Sequence, residues 1–127
     1  KGQYAPVLGL FFKQHFSGKQ ITVVGDGLQK RDFTHVQDVV QANYLAATHS
    51  EPLQGEMFNV GSGDNISILE IAKLISKNYK HIEERPGEAR ETLADITKIT
   101  KTLGWSSTVD IRKWILSEKQ DPKEDYK

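Results

Sequence analysis

Residues able to grip an anion concentrate between Val23 and Val40, where the chain reads VVGDGLQKRDFTHVQDVV. Two β-branched residues run into Gly25-Asp26-Gly27, a turn, because glycine reaches positive φ at little steric cost. Arg31-Asp32-Phe33 follows. Thr34, with Gln37 three residues later, predicts the cap of a helix that carries Val36, Val39 and Val40 on one face. An arginine fixed between a glycine turn and a helix start is placed to hold phosphate. Its planar fork matches two phosphate oxygens, which an ammonium does not. The competing reading pairs Arg31 with Asp32 or Asp38 on a solvated surface, where such pairs contribute little. A second stretch, Glu84-Arg85-Pro86-Gly87-Glu88, joins charge to a stiff proline and a permissive glycine, so that a ligand can approach the backbone. Taken alone, it also reads as a turn with solvated charges.

Other chemistries lack their residues. A dinucleotide fingerprint needs three glycines in a strand-turn-helix. Gly25-Asp26-Gly27 meets Lys30 at the third position, and Gly61-Ser62-Gly63 meets Ile66. His15, His35, His49 and His81 are scattered, without the i, i+4 spacing of a metal site. Ser62 lacks the flanks of a nucleophile elbow. The 17 basic and 17 acidic residues cancel, so no global field points to nucleic acid or an anionic membrane. Cysteine is absent, which excludes disulfides and thiolate metal sites and fits a reducing cytoplasm. No apolar run approaches the ~20 residues that span a bilayer.

The 127 residues suffice for one domain, and its elements must position those arginines. Pro6 suits a first helical turn, and Val7, Leu8, Leu10, Phe11, Phe12 and Phe16 predict a helix buried on more than one side, ending at Ser17-Gly18. Ile21-Thr22-Val23-Val24 predicts a strand. A helix follows from about His35 to His49, with apolar Val36, Val39, Val40, Tyr44 and Ala47. Met57 to Val60 reads as a strand and Gly61 to Asn65 as a tight connection. Ser67 with Glu70 forms a capping box before the stripe Ile68, Ile71, Ala72, Leu74 and Ile75. Ile82 to Glu84 and Thr92 to Ala94 read as short strands. Asp95 or Thr97 caps a helix to Leu103, closed by Gly104; Trp105 plugs the core. Asp110 starts a last helix with Ile111, Trp114 and Ile115 inward. From Ser117 the chain is charged and predicted to fray. The first residue is lysine and the single methionine is Met57, which points to a piece of a longer protein.

The pattern GDG-x-Q-x-RDF-x-x-V-x-DVV resembles the second half of the extended short-chain dehydrogenase/reductases that act on sugar nucleotides. These are NAD-dependent epimerases and dehydratases typified by UDP-glucose 4-epimerase. The likeness runs from about Gln3 to about Trp105. It implies an α/β fold, the substrate-binding C-terminal portion, with short strands among helices and without most of the Rossmann domain. Residues 1–116 would form the sugar-nucleotide-binding domain and 117–127 a charged, disordered tail. Gly-Gln-Tyr-Ala-Pro-Val and RDF-T-H-V lean toward UDP-sugar 4-epimerases of polysaccharide biosynthesis. A nucleotide-sugar 4,6-dehydratase portion and a stand-alone, non-catalytic nucleotide-sugar-binding module are the alternatives.

The resemblance also implies roles. Arg31 and Arg85 would clamp the nucleotide diphosphate from two sides, and Glu88, where the family more often has aspartate, would meet the ribose hydroxyls. Thr22 and Val24 match the strand whose backbone pairs with uracil or thymine, and Val7 and Leu8 fall where the first helix faces the nucleotide. Asp32 and Asp38 become orienting partners or helix caps, with Gln29 and Lys30 facing solvent. The family's tyrosine with a lysine four residues later is missing: Tyr4 is followed by Leu8, Tyr44 by Thr48 and Tyr79 by Glu83. No catalytic residue is therefore expected here, and NAD belongs to the N-terminal Rossmann portion rather than to this chain alone. The expected partners are a UDP-sugar or other nucleotide-sugar, that Rossmann portion and a second copy in a homodimer, with neither nucleic acid nor membrane. Apart from the Rossmann sheet, Val36, Val39, Val40, Phe58 and Val60 would lie partly exposed and invite such pairing.

Overall fold

Helix α1 (Pro6–Phe16) turns Leu8, Phe11 and Phe12 into the main hydrophobic cluster, where they meet Ile21 and Val23 of strand β1 (Ile21–Val24). The computed structural model describes residues 6–51, 58–84 and 90–121. β1 pairs in parallel with β4 (Tyr79–Ile82), in the register Ile21↔Tyr79 to Val24↔Ile82. Between them run β2 (Lys30–Arg31) and β3 (Ile66–Ser67), an antiparallel pair with Arg31 opposite Ile66. Helix α3 (Ile68–Ile75) buries Ile68, Ile71, Ala72 and Ile75 against the same cluster. Its N-terminus is closed by Ser67, whose hydroxyl accepts from the Glu70 amide at 3.1 Å. These are the short strands among helices that the sequence implies.

A smaller cluster holds the other side. Helix α2 (Val36–Ala47) buries Ala42 against Ile99 of α4 (Thr97–Leu103) and against Trp105. Helix α5 (Ile111–Gln120), capped by Asp110 through the Lys113 amide at 3.1 Å, returns Ile115 to the main cluster.

Asp38, only 3% exposed, fastens these parts together. Its carboxylate accepts from the Thr108 amide at 3.0 Å, the Thr108 hydroxyl at 2.8 Å and the Val109 amide at 3.1 Å. Its carbonyl accepts from Trp105 Nε1 at 2.9 Å. The buried carboxylate therefore has donors on each side and needs no cation.

Several elements differ from the sequence reading. His35, not Thr34, caps α2, its Nδ1 accepting from the Gln37 amide at 3.0 Å. Val36, Val40 and Tyr44 are 47%, 61% and 61% exposed, as expected for the valines, because Asp38 and Ala42 take the inward face. The fourth strand starts at Tyr79 rather than Ile82, since pairing with β1 sets its register. Phe58–Val60 forms no strand among the described residues, and Met57 lies outside them. Thr92–Ala94 is not a strand either; only Glu91 bridges Lys30. Residues 117–120 are helical rather than frayed, because Glu118 lies one turn beyond Trp114 and Ile115 and is itself buried. Gln29, expected at the surface, is 4% exposed.

The Asp38 knot gives a stability expectation. Asp38→Ala strands the donors of Thr108 and Val109 and should cost roughly 2–4 kcal/mol. Urea denaturation checks this. A midpoint equal to that of the unaltered chain would contradict it.

Candidate functional site

Arg31 projects from a strand tied on both sides. Besides the β3 ladder, the Lys30 amide donates to the Arg90 carbonyl at 2.7 Å, and the Thr92 amide donates to the Lys30 carbonyl at 3.0 Å. Arg31 Nη1 donates to the Lys30 carbonyl at 2.8 Å. Its half-buried side chain lines a cavity of about 170 Å³ with Phe33, Ser62, Asn65 and Arg112.

The next residue holds that strand in place. The Asp32 carboxylate accepts from the Ser62 amide at 2.8 Å, the Ser62 hydroxyl at 2.6 Å, the Gly63 amide at 3.1 Å and the Ala94 amide at 3.1 Å. Gly61 permits this approach, because a Cβ there would collide with the Ala94 Cβ and come within 2.9 Å of Asp32 Oδ2. Asp32 and Asp38 thus spend their charge on backbone amides and on the Ser62 and Thr108 hydroxyls.

Strand β1 supplies a second polar surface. The Ile21 amide donates to Asn78 and the Gly25 amide to Ile82, so residues 21, 23 and 25 face β4. Thr22 and Val24 turn their backbone groups to the opposite edge. There the Thr22 amide donates to Gln14 Oε1 at 3.1 Å, and the Val24 carbonyl accepts from Gln29 Nε2 at 3.2 Å. The Thr22 carbonyl and Val24 amide have no partner among the described residues. Gln14 does not stand out in the sequence, and Gln29 stands in the GDG-x-Q-x-RDF pattern without its contact being legible, since a carboxamide that bonds a strand edge leaves no periodic pattern.

The turn after β1 leads toward the second arginine motif. Gly27 has φ of 72°, and a Cβ there would lie 2.6 Å from Val23 Cγ1 and 2.9 Å from Leu69 Cβ. Glu84 lies against Gly25, and Arg90 Nη1 meets Asp26 Oδ1 at 3.1 Å. Arg90, with the Leu28 amide, holds the Asp26 carboxyl below the usual carboxylate range. Both flanks of Arg85–Glu88 therefore sit beside the Gly25–Gly27 turn, while Arg85 and Glu88 lie outside the described residues. Leu8, expected to face the nucleotide, is 1% exposed and packs within the main cluster, because α1 turns that side onto β1.

The glycine turns do not fit the phosphates of NAD. Gly25–Gly27 leads into β2 rather than a helix, and the Ser62 and Gly63 amides already serve Asp32. Among the described residues, no group of three His, Cys, Asp or Glu could hold a metal, and no helix is long and apolar enough to cross a membrane.

The sequence pattern of the GDP-mannose 4,6 dehydratase family matches residues 10–117. An uncharacterized UDP-glucose epimerase of Bacillus subtilis is 33% identical over 113 residues, covering 84% of this chain and 35% of that protein. A dTDP-glucose 4,6-dehydratase of Streptomyces niveus is 31% identical over 110 residues, covering 81% and 32%. The crystal structure of UDP-glucuronic acid 4-epimerase from Bacillus cereus, in complex with UDP-glucuronic acid and NAD, superposes with a TM-score of 0.81 at 30% identity. That match covers 90% of this chain and 38% of the epimerase. The chain thus spans about a third of the length of the curated relatives it matches. With its paired short strands, its glycine turn before Arg31 and these likenesses, the chain belongs to the GDP-mannose 4,6-dehydratase family of extended short-chain dehydrogenase/reductases and corresponds to a C-terminal portion of their fold.

Proposed function

We propose that this chain holds the nucleotide end of a nucleotide-sugar, most specifically a UDP-sugar, for an NAD-dependent epimerase. The observation that carries the reading is a chain of contacts. Val24 leads into Asp26, Asp26 binds Arg90, Arg90 binds Lys30, and Lys30 precedes Arg31. A ligand along β1 would thus have its base at Thr22 and Val24 and its diphosphate toward Arg31. Arg85 would close on the diphosphate from the other side and Glu88 on the ribose. A base imide fits the Thr22 carbonyl and Val24 amide as a neighbouring strand would. Two diphosphate charges need cations, and charged hydrogen bonds are the strong ones.

Hydride transfer from sugar to NAD would belong to the whole protein, with the cofactor held outside the residues described here. The family match and the Streptomyces niveus relative favour a second reading, a 4,6-dehydratase, in which the same grip serves.

The reading includes a homodimer. Val36, Val40 and Tyr44 follow i, i+4, i+8 spacing and form an exposed apolar stripe along α2. Val60, also exposed, adds to the apolar surface a second copy would cover.

Two outcomes are expected. UDP should bind more tightly than uridine, and Arg31→Ala or Arg85→Ala should each cost roughly 1.5–3 kcal/mol in UDP affinity by calorimetry. Lysine at either position should restore only part, keeping charge but losing the fork. Equal UDP affinity in both alanine variants and the unaltered chain would overturn the clamp. Light scattering should give the mass of two chains, reverting to one in Val40→Glu. A monomer at every concentration would remove the dimer.

A further inference from the structure

We infer that Gln14 and Gln29 set the hydrogen-bonding frame of the nucleobase edge and so determine how a base docks on β1. This rests on the nucleotide-binding reading above.

The outer edge of β1 carries four backbone groups in order: the amide and carbonyl of Thr22, then the amide and carbonyl of Val24. An edge with all four open offers a planar ligand more than one register. The two glutamines remove the outer pair. Gln14, from α1, accepts from the Thr22 amide at 3.1 Å and donates to the Thr22 hydroxyl at 3.0 Å. Gln29 donates to the Val24 carbonyl at 3.2 Å. The partners fix both carboxamide orientations, since an amide N–H only donates and a carbonyl only accepts.

Among the described residues, what remains open is one acceptor, the Thr22 carbonyl, followed by one donor, the Val24 amide. A pyrimidine imide presents an N–H flanked by carbonyls, which satisfies both at once in a single register. Gln29 suits the task because it cannot swing away. It is 4% exposed, and its backbone carbonyl accepts from the Ile68 amide at 3.0 Å, which ties the residue to the start of α3. Across the turn, the Leu69 amide donates to the Gly27 carbonyl at 2.8 Å, so the segment that carries Gln29 is fastened twice. Gln14 is fastened by helix α1, which packs on β1. Both act through the strand, as positioning residues.

Methionine matches glutamine in length and lacks its hydrogen bonds, so Gln29→Met isolates the proposed role. Calorimetry on the full chain would compare UDP, N3-methyl-UDP and inorganic pyrophosphate. In the unaltered chain, N3-methylation should weaken binding about tenfold, the scale of one good buried hydrogen bond. In Gln29→Met that penalty should shrink to within about twofold, while pyrophosphate affinity stays unchanged. Gln14→Met should act in the same direction, and it carries the test if circular dichroism shows Gln29→Met unfolded. An undiminished N3-methyl penalty in the folded variants, with UDP binding still dependent on Arg31, would overturn this inference and leave the nucleotide reading standing. Absence of UDP binding, or UDP affinity indifferent to both arginines, would overturn that reading and this inference with it.

Discussion

One carboxylate, that of Asp32, is the junction on which the rest of the site depends. Three backbone amides and a hydroxyl converge on it from residues 62, 63 and 94. Desolvating an anion is costly, and the cost is offset only when its oxygens are met by well-placed donors. Here the donors belong to two loops far along the chain, so satisfying one side chain fixes three segments together. Arg31 is its neighbour, and wherever Asp32 is held, the base of the arginine is held as well.

Asp38 repeats the device six residues later, drawing Thr108 and Val109 onto α2. The acidic residues of RDFTHVQD thus face inward onto amides, while Arg31 lines a cavity together with Phe33, Ser62, Asn65 and Arg112. Gly61 and Gly27 belong to the same economy of space, since each lies where a side chain would strike a neighbour. The motif reads as a binding signature, yet most of its residues are structural. Its arginine owes its position to them.

How much of this is visible in the sequence depends on how local the cause is. Helices α1, α3 and α5 are readable because burial repeats along one face, and the Ser67 and Asp110 caps are decided within a few residues. The cap at His35 is missed because imidazole is an uncommon cap beside a threonine that suits the role. The bounds of β4 escape because Lys80 and His81 hide its alternation, and its register comes from β1, more than fifty residues earlier. Among the candidate site residues, Arg31 stands out by its setting, and Thr22 and Val24 follow from resemblance. The contacts of Gln29, a residue of the motif itself, and of Gln14 are not legible, since these bonds exist only once helix, turn and strand have met.

The central claim is that the Asp32 junction sets Arg31 in place, and amide hydrogen exchange read together with UDP affinity tests it most directly. In Asp32→Ala, exchange at Ser62, Gly63 and Ala94 should accelerate by about tenfold or more as these amides lose their acceptor. UDP affinity should fall with it, while uridine affinity changes little. Unchanged exchange at all three amides, or full UDP affinity despite faster exchange, would contradict the account.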